Sequence, residues 1–176
     1  MEVAIISKNS LKIRTKVAGF VINPTSDISK TEADAVFSLN EDLSTVDTSK
    51  VADFRLTISG PGEYEIGGVK ISINKKGSGL VYKMNIDKMT VVLGRASVIA
   101  QSLDDIDVSQ VAIIEADILP SDKTIPTIQA NLVIFYGEKA LEAAKELKEG
   151  TDVANVEKFS VTAEKLPQEM QVVVLA

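Results

Sequence analysis

The side chains available for chemistry in this sequence are oxygens and amines: 25 Asp and Glu, 19 Lys and Arg, a scatter of Ser, Thr and Tyr, and no histidine or cysteine. That absence excludes an imidazole general base, Ser-His-Asp and Cys-His nucleophiles, thiolate chemistry and every His or Cys transition-metal ligand. What remains is an oxygen repertoire plus lysine, for which the natural metal is a hard cation.

Several constellations of these residues can be weighed on spacing. Asp104, Asp105 and Asp107 form the densest acidic cluster. No glycine supplies the sharp turn and no glutamate closes the set as a calcium loop requires, so a solvated helix start is expected there. Glu115 and Asp117 follow the apolar run Val111 to Ile114, at a strand end where α/β sheets place functional groups. Strand-end carboxylates are mostly solvated, and that is the expectation for both. Glu63 and Glu65 fall on one face of their strand and Tyr64 on the other, which predicts a core position for Tyr64. Ser72 and Lys75 have the Ser-x-x-Lys spacing of serine β-lactamases, but on a strand residues three apart point to opposite faces. Gly77-Ser78-Gly79 lacks the following helix of a phosphate loop. It reads as a hairpin tip, with the adjacent Lys75-Lys76 pair solvated beside it.

The elements that must position these groups are mostly strands. Glu2–Ser7, Leu11–Thr15, Ala18–Ile22, Ala33–Ser38 and Phe54–Ser59 are short Val-, Ile- and Phe-rich runs, read as an antiparallel meander. Leu11, Ile13 and Val17 alternate with Lys12, Arg14 and Lys16, as in a sheet with one wet face. Lys8-Asn9-Ser10, Gly67-Gly68 and Asp87-Lys88 join successive strands, with positive φ suiting both glycines of a type I′ turn. Asn23-Pro24-Thr25-Ser26-Asp27 ends the third strand. Helical signals come late: Ser102-Leu103-Asp104-Asp105 has the pattern of a helix start. Glu138–Lys148 places Leu141, Ala144 and Leu147 on one face before Gly150. Strands at Leu132–Tyr136, Val156–Val161 and Met170–Leu175 complete the chain.

Length and composition set the class. The 176 residues, 45% hydrophobic and 25% charged, are those of one globular domain spanning 1–176. No apolar run is long enough to cross a bilayer and no secretory signal opens the chain, so no membrane partner and a cytoplasmic location are expected. The formal charge of −6 and the dispersed lysines argue against nucleic acid.

Ile58-Ser59-Gly60-Pro61-Gly62-Glu63-Tyr64-Glu65-Ile66-Gly67-Gly68-Val69, set after the opening strands and the Ala33-Asp34-Ala35-Val36-Phe37 run, carries a resemblance. It is similar to the compact bacterial and archaeal branch of the metallo-β-lactamase superfamily, and the likeness extends to the closing segment Lys165–Leu175. The resemblance implies an α/β (α+β) fold: an αββα sandwich of two mixed sheets, strand-rich, with few short helices. It also implies where zinc ligands would stand. The family's His-x-His-x-Asp-His loop falls on Asn40, Asp42, Ser44 and Thr45, its bridging aspartate on Arg95 after Leu93-Gly94, and its late histidine near Tyr136-Gly137.

A hydrolytic zinc site needs about three protein ligands at roughly 2.0–2.2 Å plus an open position. One strong ligand, Asp42, with an amide and two hydroxyls falls short of that, and Arg95 would repel the ion that an aspartate attracts. The expectation is therefore a non-catalytic protein without cofactor or metal, serving as a scaffold or interaction module for a protein partner or a second copy of itself. Two alternatives stand beside it. One is a hydrolase or phosphoesterase using Mg²⁺ or Mn²⁺ on Glu41 and Asp42. The other is a small-ligand sensor using the vacated cleft, with Arg95, Glu41 and Tyr136 as contacts.

Overall fold

The computed structural model describes residues 1–105, 108–120, 127–147 and 153–176. Two mixed sheets pack face to face. The first contains β1 (Glu2–Ser7), β2 (Ser10–Arg14), β3 (Gly19–Ile22), β5 (Ala35–Phe37), β7 (Leu56–Ile58) and β15 (Lys158–Ser160), in the order β15-β1-β2-β3-β5-β7. The second contains β8 (Gly62–Ile66), β9 (Val69–Lys76), β10 (Gly79–Ile86), β11 (Met89–Arg95), β12 (Val111–Glu115), β13 (Leu132–Tyr136), β14 (Ala154–Val156) and β16 (Gln171–Leu175). Its order is β14-β16-β13-β12-β11-β10-β9-β8. A two-stranded ribbon, β4 (Thr31–Glu32) with β6 (Val51–Ala52), lies beside the first sheet.

The meander holds for three strands only. β1, β2 and β3 pair antiparallel, but β3–β5 and β5–β7 are parallel. The chain after β3 does not turn straight back: residues 23–34 travel outward through β4 before β5 enters beside β3. Val17 belongs to the β2–β3 turn and is exposed, whereas Leu11 and Ile13 are fully buried, so the alternation stops at Arg14. Gly67 and Gly68 take φ of 56° and 82° in the β8–β9 hairpin, as the type I′ turn requires.

In the second sheet β8 to β11 are antiparallel, and β11, β12, β13, β16 and β14 run parallel. The expected strand Val156–Val161 is two strands in different sheets. β14 pairs with β16 in the second sheet and β15 with β1 in the first, the chain crossing at Glu157, whose carbonyl accepts from the Ile5 amide.

Residues of even spacing divide the core. Val91 and Leu93, Val111 and Ile113, and Leu132 and Ile134 face inward against Phe20, Phe37 and Tyr82, whose rings stack at 4.8 and 4.9 Å. Val92, Ala112, Ile114, Val133 and Phe135 face outward beneath two helices, α1 (Ala96–Ile99) and α2 (Ala140–Leu147). The buried positions of α2 are Ala140, Ala143 and Ala144, with Leu147 packed against them, while Leu141 is 45% exposed. The buried stripe runs through Ala140, Ala143, Ala144 and Leu147, which leaves Leu141 at its exposed edge. Lys148 and Gly150, expected to end this helix, lie outside the described residues.

Ser102 directly precedes a short helical turn, the 3-10 segment Leu103–Asp105, and its hydroxyl donates to the Val98 carbonyl at 2.8 Å, closing α1. Asp104 is exposed, and Asp107 of the acidic cluster lies outside the described residues. The outer face of the first sheet is covered by Val21, Ile28, Ala33, Val36 and Val51, together with the β4–β6 ribbon.

Candidate functional site

Arg95, Glu115 and Tyr136 are the last residues of β11, β12 and β13, and strand register places them side by side. They share the inward face with Leu93, Ile113 and Ile134, so this row closes the inter-sheet core at the carboxyl ends of three parallel strands. Placing a charged row there demands internal pairing, because an isolated buried charge is costly. Arg95 Nε donates to Glu115 Oε2 at 3.2 Å and Arg95 Nη1 to Asn40 Oδ1 at 3.0 Å.

Asn23 supplies the third polar arm. It ends β3 with φ of 46°, a conformation asparagine tolerates. Its Oδ1 accepts from the Leu39 amide at 2.9 Å while its Nδ2 donates to Glu115 Oε2 at 3.4 Å. The loop carrying Asn40 is held from below as well. The Tyr82 hydroxyl shares its one proton between the carbonyls of Ser38 and Ile58, at 2.5 and 3.1 Å, and the Leu80 and Glu41 amides bond to the Leu39 and Ser78 carbonyls across to the β9–β10 hairpin.

Glu115 is 5% exposed, against the expectation of a solvated strand-end carboxylate. Burial raises its pKa, and the Arg95 guanidinium partly offsets that rise. The Tyr136 hydroxyl is fully buried and, among the described residues, has no hydrogen-bond partner. Burial, with the Glu115 charge adding to it, holds the phenol well above its ordinary value of 10.0. Gly137 takes φ of 90° and packs against this group: a Cβ there would stand 3.4 Å from Glu115 Cγ and 3.5 Å from Asn9 Oδ1. Asp117 serves a different purpose, accepting from the Ser97 amide at 3.0 Å and from the Ser97 hydroxyl at the start of α1.

The expected site residues thus fall into two groups. Asn40, Arg95, Tyr136 and Gly137 converge. Asp42, Ser44 and Thr45 lie on an exposed stretch of loop, where the Asp42 carboxylate accepts from the Ser44 amide and hydroxyl, both at 2.8 Å. Those bonds hold Asp42 below the usual carboxylate range. Glu41 turns to Lys75, 2.6 Å away, so Lys75 is ion-paired where solvation was expected. Ser72 and Lys75 are three apart on β9, as the strand reading required. Asn23, read from the sequence only as the end of the third strand, proves to be a polar arm of the site. Glu115, read there as solvated, is marked as inward-facing by counting back in twos to Ile113 and Val111.

No family model matches the chain, and no curated protein matches it. Solved structures do. A metallo-β-lactamase superfamily protein from Thermotoga maritima, assigned as a Zn-dependent hydrolase, superposes with a TM-score of 0.76 at 18% identity, covering 99% of this chain and 97% of that one. A protein from Parabacteroides distasonis assigned as a metal-dependent hydrolase gives 0.62 at 12%, over 98% and 91%. The metallo-β-lactamase fold protein YhfI from Bacillus subtilis gives 0.60 at 10%, over 99% and 96%. The chain has the metallo-β-lactamase fold, and the resemblance read from the Gly-Pro-Gly-Glu-Tyr-Glu segment holds at the level of architecture.

Proposed function

We propose that residues 1–176 form one domain that uses the metallo-β-lactamase fold without its metal chemistry, acting in the cytoplasm as a scaffold or interaction module for a protein partner or a second copy of itself. The observation that carries this reading is the pairing of Arg95 with Glu115 and Asn40. A guanidinium stands at the position the resemblance gives for the bridging aspartate, with Glu115 Oε2 and Asn40 Oδ1 as its acceptors. The residues present do not fit zinc. The chain has no His or Cys, and among the described residues no three metal-binding side chains gather. A hard cation on Glu41 and Asp42 fares no better, since one carboxylate is paired with Lys75 and the other with Ser44.

Elemental analysis of the purified protein, with a thermal-shift series in zinc, manganese, magnesium and calcium, tests the reading. The expected outcome is sub-stoichiometric metal and no ion-dependent rise in melting temperature. A stoichiometric ion with a large stabilisation overturns it.

A further inference from the structure

A second region of the molecule gathers three lysines around one cleft. Lys12 on β2 stands in register with Val21, and Val21 with Val36, which places Lys12 on the outer face of the first sheet. That face is opposite the inter-sheet core that Arg95 closes. The β4–β6 ribbon stands beside it, zipped by the Thr31 amide on the Lys50 carbonyl and the Ala33 amide on the Ala52 carbonyl. Between them is a cleft of about 580 Å³, lined by Lys12, Lys30 and Lys50 with Thr31, Val51 and Ala52 among its walls. Its volume is that of a small-molecule site.

The charge of this cleft runs against that of the chain. Three lysines line it against one carboxylate, Glu32, in a protein of formal charge −6. Among the described residues none of the three lysines makes a salt bridge. Lys12 Nζ donates to the Thr31 hydroxyl at 2.6 Å, a neutral partner whose own proton is left to donate elsewhere. Burial lowers the pKa of Lys12 and Arg14 beside it lowers it further, while the Glu32 carboxylate partly offsets both. An ammonium partly stripped of water, hydrogen-bonded to a hydroxyl and only partly compensated by Glu32, gains from a multivalent anion.

We propose that this cleft binds a small organic phosphate, its phosphoryl oxygens on Lys12, Lys30, Lys50 and the Thr31 hydroxyl and its apolar part against Val51 and Ala52. Nothing in this assignment depends on the state of the Arg95 row. Titration calorimetry with inorganic pyrophosphate tests it, using the full chain, Lys12→Met, the Lys30→Ala/Lys50→Ala double variant, and Lys145→Ala on exposed α2 as control. Circular dichroism melts confirm that each variant is folded. The expected result is saturable one-to-one binding, weakened about tenfold by Lys12→Met and more by the double variant. Lys145→Ala should leave it unchanged, and added salt should weaken it. Absence of saturable binding by the folded wild-type chain overturns the proposal, as does equal affinity in the folded double variant. Tighter binding of a single-stranded oligonucleotide than of pyrophosphate at the same salt also overturns it.

Discussion

Arg95 and Glu115 stand opposite one another in register on adjacent parallel strands, and Nε of one lies 3.2 Å from Oε2 of the other. Their side chains are 27% and 7% exposed, so the pair is largely removed from water. Removing one partner leaves the other charged and poorly solvated, and that asymmetry gives the first prediction. Arg95→Ala should cost about 2–4 kcal/mol in urea denaturation. The double change Arg95→Met/Glu115→Leu should recover most of the loss, because an apolar pair continues the rows beneath it. A double variant as unstable as the single one would show that Arg95 contributes by something other than pairing.

Stability should depend on pH through Glu115 with a definite sign. Its folded pKa is raised above the ordinary 4.5, so the folded state holds the proton more tightly than the unfolded state does. Its contribution is therefore fully present below about 4.5 and declines as pH rises from there through the folded value. Asp27, Asp42, Asp47 and Asp87 are lowered and act the other way, losing their contribution as pH falls. The difference in unfolding free energy between wild type and Glu115→Gln isolates the first effect. That difference should shift against wild type as pH climbs above 4.5, and a flat difference from pH 4 to 8 would contradict it.

Tyr136→Phe should be neutral or stabilising by up to about 1–2 kcal/mol, since the hydroxyl it removes is buried without a partner. Tyr82→Phe is the contrast. It deletes a hydroxyl bonded to two carbonyls and should cost about 1–3 kcal/mol, with faster amide exchange at Leu39. Equal effects of the two changes in parallel urea titrations would be inconsistent with the hydrogen-bond assignments.

Gly79→Ala should destabilise by about 1–3 kcal/mol, because a Cβ there would lie 2.2 Å from Val98 Cγ2 and 3.1 Å from Val98 Cβ. A β-branched side chain on a helix has little rotamer freedom with which to yield. Val98→Ala in the same chain should relieve much of the penalty, and thermal melts of the four proteins of that cycle provide the check.

What the sequence made legible was local. The glycine pair at 67–68, the Lys8-Asn9 turn and the inward alternation of Leu11 and Ile13 on β2 are each set by neighbours a few residues apart, where side-chain period and turn chemistry decide the outcome. Arg95, Asn40 and Gly137 were located through the resemblance, and the structure brings those three together. Glu115 is read from the sequence as solvated and Asn23 only as a strand end, because their partners are 16 to 92 residues away in the chain. A polar residue looks the same in sequence whether water or a distant arginine faces it. The parallel entry of β5 and the split at Glu157 were missed for a related reason: apolar runs specify strands but not which neighbour they join.

The passage of the chain through Glu157 has a mechanical consequence. Because one continuous stretch fastens the rim of one layer and then the rim of the other, tension on it is shared between layers that are also joined by Tyr82 on Ser38 and Ile58 and by Asn23 on Glu115. Slip at that stitch would loosen both borders together, since the edge strand of each layer is held by the same few residues.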